Sequence, residues 1–209
     1  MAERYLLVEG KDDEHVFYHL LKHHQIPECF EIKNKEGIDN LLDTLPTELK
    51  RSNLERLGIV VDANTDVAVR WTNLRSILAS AGHGDVPANP DPSGTIVVLE
   101  QPERTLTVGI WFMPNNTLPG MLEDFVAFLV PPDDPLWGYA EDCLRGISEQ
   151  HRRFPAAHQP KAHIHTWLAW QEEPGTPMGL AITKHYLDAD TPHAHQLMNW
   201  IRRLFDAQV

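Results

Sequence analysis

Leu6-Leu7-Val8-Glu9-Gly10-Lys11-Asp12-Asp13 and, further along, Gly58-Ile59-Val60-Val61-Asp62-Ala63-Asn64-Thr65-Asp66 share one pattern. In each, a short apolar run reads as a strand and delivers acidic residues at its carboxyl end, just ahead of an amphipathic helical stretch. Open parallel α/β sheets hold their ligands at such ends. Two of them facing one crevice suit a divalent cation, which takes oxygen ligands.

The flanking sequence extends the pattern. Tyr5 to Val8 is a buried first strand, and Asp12 to His24 sets Val16, Phe17, Leu20 and Leu21 on one helical face. Phe30 to Lys33 reads as a second strand, and Gly37 opens a helical segment carrying Ile38, Leu41, Leu42 and Leu45. Leu57 to Val61 is the third strand, followed by a helix from Val67 to Ala81. This βαβαβα alternation predicts a mostly parallel sheet flanked by helices. After a Gly/Pro-rich loop over 82–94, Thr95–Leu99 and Thr105–Phe112 are extended, and Gln101-Pro102-Glu103-Arg104 resembles a hairpin connection. A helix over Met121–Val130 carries Glu123 and Asp124 in its first turn. Beyond Pro131-Pro132, helices are expected at Leu136–Arg153, Lys161–Gln171 and His193–Phe205, with a break at Glu173–Pro177. The expected organisation is an α/β domain over residues 1–130 with a mainly helical C-terminal extension, 131–209, packed on it.

The 209 residues are 42% hydrophobic and 23% charged, enough for one sizeable core. The formal charge of −12 is spread over both halves, so no basic tail or face draws nucleic acid from a distance. Cys29 and Cys143 stand far apart and outside any zinc-finger or CxxC spacing, which argues against a disulfide scaffold and fits a reducing cytoplasm. No signal segment and no membrane-spanning run is visible. Oligomeric state is left open, a homodimer included.

The order of these motifs resembles the TOPRIM domain shared by type II and type IA topoisomerases, DnaG-type primases and the OLD-family nucleases. That family places a Glu after the first strand and an Asp-x-Asp after the third. Val8-Glu9-Gly10 matches the first element, and Val61-Asp62-Ala63-Asn64 matches the second with Asn64 in place of the latter Asp. The OLD-like branch is nearest, since its first motif also carries an acidic residue four positions after the Glu, as Asp13 does here. Its later acidic element and its lysine find counterparts in Glu123 or Asp124 and in Lys161. The whole chain also looks like a small bacterial family of stand-alone TOPRIM-like proteins. The resemblance covers roughly residues 4–130 and implies a TOPRIM/Rossmann-like fold and Mg²⁺- or Mn²⁺-dependent chemistry on nucleic-acid phosphodiesters. The alternative is a catalytically degenerate binding or regulatory module. None of Tyr5, Tyr18, Tyr139 and Tyr186 sits in a strand-passage module, which argues against a topoisomerase. OLD nucleases carry an ATPase on the same polypeptide; this chain has no Gly-x-x-x-x-Gly-Lys-Ser/Thr loop, so coupling to ATP would need a partner protein.

On this reading Glu9 and Asp13 serve one ion and Asp62 with Glu123 or Asp124 a second, about 4 Å away, clamping the attacking and leaving oxygens of a phosphoryl transfer. Asn64 keeps an oxygen ligand but loses a charge, and Asp66 is a substitute from further along. Glu9 is alternatively a general acid or base, and Lys161 stabilises charge on the phosphate. Plainer roles compete. Asp12, Asp13 and Glu14 offset a helix N-terminus, worth about 0.3–1 kcal/mol each. Asp66 reads first as the N-cap of the next helix, and Glu123 and Asp124 read equally as caps or ligands. Glu9 and Asp62 resist that dismissal, because a carboxylate at the end of a buried strand is costly to leave unpaired. The twelve histidines include His23-His24, His163-Ile164-His165 and His193-Ala194-His195, but none forms a His-Glu-x-x-His pair, so no zinc site is expected. Trp167, Trp170 and Trp200 read as core or interface anchors rather than base-stacking platforms. A receiver-like or haloacid-dehalogenase-type phosphatase is disfavoured, since Asp62-x-Asn64-x-Asp66 lacks the Thr of the latter's motif.

Overall fold

The computed structural model describes residues 3–207. The elements run β1 (Glu3–Val8), α1 (Lys11–His23), β2 (Glu31–Asn34), α2 (Ile38–Glu48), β3 (Leu54–Asp62), α3 (Val67–Ala81), β4 (Thr95–Gln101), β5 (Arg104–Met113), α4 (Leu122–Ala127), α5 (Pro135–Arg145), α6 (Gln159–Leu168), α7 (Met178–Thr183) and α8 (Pro192–Phe205). One sheet carries the strands in the order β2-β1-β3-β5-β4. All neighbours are parallel except β4, which returns beside β5 as the expected hairpin. The fold is α/β and Rossmann-like.

From β1 the chain moves one way to β2, then back past β1 to β3, and this reversal puts α1 on one face of the sheet and α2 and α3 on the other. The two cores reflect this. Leu6, Val8, Val60, Trp111 and Met113 face α1, α4, α6, α7 and α8, whereas Tyr5, Leu7, Ile59, Val61, Ile110 and Phe112 face α2 and α3. The centres of β1, β3 and β5 are therefore continuous apolar runs rather than alternating ones, since both faces are covered there. The segment after Val130 shares its core with α1 and the sheet.

Two glycines shape that shared face. Gly58 of β3 and Gly109 of β5 pair in register. A Cβ at Gly109 would come within 2.5 Å of Leu204, and one at Gly58 within 3.1 Å of the same residue, so the pair forms a trough that receives α8. That helix buries Ala194, Leu197, Met198, Ile201, Leu204 and Phe205 at helical spacing. Thr191 caps it by accepting the Ala194 N–H, with Pro192 in its first turn.

The chain beyond β5 departs from expectation in three places. The helix beginning near Leu136 stops at Arg145 rather than Arg153; Gly146 closes it, and extended backbone at Ser148 and Pro155 leads into two single 3₁₀ turns. The helix expected at Met121–Val130 is α-helical only to Ala127, after which Phe128, Leu129 and Val130 each bond three residues back in a tightened turn. The six-residue α7 was unexpected; it packs so closely on α1 that a Cβ at Gly179 would lie 2.7 Å from the His15 carbonyl oxygen. Among the described residues no helix is long and apolar enough to cross a membrane.

Candidate functional site

β1 and β3 lie side by side, and the chain leaves β1 for a helix on one face and β3 for a helix on the other. Between their carboxyl ends lies the topological switch point, where sheets of this kind open a crevice. Glu9 follows β1 directly and Asp62 ends β3. The Asp62 N–H donates to Glu9 Oε1 at 2.7 Å, and Asp62 Oδ1 accepts the Leu122 N–H at 3.0 Å, so β3 ties both β1 and the start of α4 to one point. Asp13, third in α1, is 7% exposed and accepts the Gly10 N–H at 3.1 Å. Glu123, 4% exposed, meets Lys161 Nζ of α6 at 3.0 Å.

These groups feel one another. Burial pushes the Asp62 carboxyl up to about 8, and the charges of Glu9, Asp13 and Glu123 add to it against the Leu122 N–H. Burial, then Glu9, lifts Asp13 to about 7. Glu9 is raised by burial, with the Asp62 N–H and the Arg70 guanidinium opposing. Lys161 is raised by its bond to Glu123, and the charges of Asp12 and Asp62 act the same way. Four buried or half-buried carboxyl groups thus gather at one edge of the sheet with a single paired lysine. The donor set is all oxygen, as Mg²⁺ and Mn²⁺ require. A cation there would neutralise the charge that burial otherwise opposes.

The structure brings together Glu9, Asp13, Asp62, Glu123 and Lys161. It gives the other three expected ligands backbone work. Asp66 caps α3, accepting the Ala68 and Val69 N–H groups. Asp124 accepts the Met121 N–H at 2.8 Å at the start of its own helix. Asn64 adopts left-handed backbone geometry, a conformation asparagine tolerates, and exchanges both backbone hydrogen bonds with Gly120 while its side chain stays exposed.

Two features escaped the sequence reading. Arg70 reaches Glu9 electrostatically from α3, one turn beyond the Asp66 cap; only the strand order reveals that this turn borders the crevice. The other is a histidine group. His23, His24 and Asp190 are the three residues, among those described, whose ligand atoms all fall within 4.8 Å of one another. The carboxylates of the crevice stand further apart, so holding one ion between them requires side-chain rotation. Histidine spacing within single helices could not disclose a group assembled from two distant segments.

Residues 3–206 match the profile of a family described as Protein of unknown function (DUF3226). The chain belongs to this family. No curated protein and no solved structure gives a match. The DUF3226 match runs from β1 through α8, so it takes in the crevice carboxylates, Lys161 and the histidine group alike.

Proposed function

We propose that this DUF3226 protein carries out divalent-metal-dependent chemistry on nucleic-acid phosphodiesters, with Mg²⁺ or Mn²⁺ held by Glu9, Asp13, Asp62 and Glu123. The observation that carries this reading is the gathering of these four buried or half-buried carboxyl groups at the switch point of the sheet. The resemblance of Val8-Glu9-Gly10 and Val61-Asp62-Ala63-Asn64 to the TOPRIM pattern supports it. A bound ion supplies Lewis-acid stabilisation of phosphate charge. Glu9 Oε1 is engaged by the Asp62 N–H, which leaves Oε2 to face a ligand or exchange a proton. Lys161, anchored by Glu123 yet half exposed, offers its ammonium to a phosphate oxygen. With a net charge of −12, affinity for a polyanion rests on the ion and on Lys161 and Arg70 rather than on long-range attraction.

A second reading, a non-catalytic binding or regulatory module, is favoured by Asn64: the position that carries an acid in the resembled motif here turns its side chain to solvent and uses its backbone to hold Gly120. Incubation with single- and double-stranded DNA and RNA in Mn²⁺ separates the two. Cleavage lost in both Glu9→Gln and Asp62→Asn supports the enzyme; metal-dependent nucleic-acid binding with no product from the wild-type chain supports the module.

A further inference from the structure

Away from the crevice, the end of α1 meets the loop that leads into α8. There His23 Nε2 lies 3.1 Å from Asp190 Oδ1, and His195 Nε2, in the first turn of α8, lies 4.0 Å from the same oxygen. The His24 ring stands edge-on between the other two imidazoles, with centroids 5.0 Å from His23 and 5.1 Å from His195. Three imidazoles therefore surround one exposed carboxylate, and the ligand atoms of His23, His24 and Asp190 all lie within 4.8 Å of one another. His24 is held in place: its Nε2 donates to the Ala189 carbonyl at 2.9 Å, which orients the ring and, in the neutral imidazole, makes Nδ1 the nitrogen that carries the lone pair.

We propose that His23, His24 and Asp190, with His195 as a fourth donor, form a binding site for a borderline transition-metal cation, Zn²⁺ foremost. Imidazole nitrogens with a carboxylate select such ions over Mg²⁺ or Mn²⁺, the reverse of the all-oxygen crevice. A tetrahedral zinc site separates its ligand atoms by about 3.4 Å. The His23–Asp190 pair already stands near that spacing, and the remaining donors close on it by rotation of partly exposed side chains. The Arg202 guanidinium, which donates to the His24 carbonyl, is the opposing charge nearby. An ion bound here joins the end of α1 to the start of α8, the helix seated in the glycine trough. Occupancy therefore stabilises the packing of the C-terminal segment on the sheet.

The test uses the full chain free of any affinity tag. Co²⁺, a spectroscopic stand-in for Zn²⁺, is titrated while its visible absorption is followed, and thermal unfolding is recorded with and without one equivalent of Zn²⁺. Expected are saturable absorption at one equivalent and a raised unfolding temperature. Affinity should fall on the order of tenfold or more in His23→Gln and in Asp190→Asn. Asp62→Asn, in the crevice, should bind as the wild type does. The proposal is overturned if the wild-type chain shows no saturable Co²⁺ binding, if His23→Gln and Asp190→Asn bind undiminished, or if Asp62→Asn is the variant that loses the ion.

Discussion

The raised carboxyls of Asp62 and Asp13 tie the crevice to pH. A carboxyl raised from its ordinary value to about 8 binds more protons in the native state across the interval between the two. Native stability from this group is full below the ordinary carboxylate range and is lost as pH rises through about 8; Asp13, raised to about 7, acts the same way. Unfolding followed by denaturant from pH 5 to pH 8.5 should show wild-type stability falling relative to Asp62→Asn, which is more stable at pH 8 by about 1–2 kcal/mol. The amide retains an oxygen to accept the Leu122 N–H, so the difference reports charge. Lys161→Met should cost about 1–3 kcal/mol by stranding the buried Glu123 carboxylate, and the double variant with Glu123→Gln should recover most of it. Glu9 and Asp62 were legible in the sequence because an ionisable group directly after a buried strand has few structural uses. Between Glu123 and Asp124 nothing local chose: the Asp62–Leu122 hydrogen bond fixes how α4 begins, and that turns Glu123 inward and leaves Asp124 as its cap.

The helices and strands differ in how much of them local sequence specifies. β1, β3 and β5 announce themselves as apolar runs, whereas the edge strand β2 carries only Ile32 among polar residues, and the hairpin of β4 and β5 follows from its Pro102-Glu103 turn. α7 was not legible, because six residues carry too little periodicity; close packing against α1 defines it, with Gly179 against the His15 carbonyl. The overlong reading of α5 has a similar origin: apolar Ile147 continues the helical pattern past Gly146, where the chain in fact turns. Gly109 and Gly58 form the floor of the α8 trough. Gly109→Ala should therefore destabilise by about 1–3 kcal/mol, since Leu204 and Trp200 must shift. Gly138→Ala, inside α5 with nothing near its added Cβ, should instead stabilise by up to about 1 kcal/mol. Thermal unfolding of the two variants reads the contrast.

Taken as one molecule, the chain wraps helices from both of its ends around a single sheet and leaves the carboxyl edge of that sheet acidic. The overall charge of −12 repels polyanions, so a crevice that acts on them must work through a bound cation. Nucleic-acid binding should accordingly depend on Mn²⁺ or Mg²⁺ and vanish with chelator. It should weaken only modestly between low and moderate salt, because few Lys or Arg displace counterions; fluorescence anisotropy at several salt concentrations measures this. The experiment on which the account turns is calorimetric titration of Mn²⁺ into the wild-type chain, Asp62→Ala and His23→Gln. Saturable heat in the wild type and in His23→Gln, abolished in Asp62→Ala, is the expected result. Binding unchanged in Asp62→Ala, or absent from the wild type, would contradict the assignment of the crevice as a divalent-metal site.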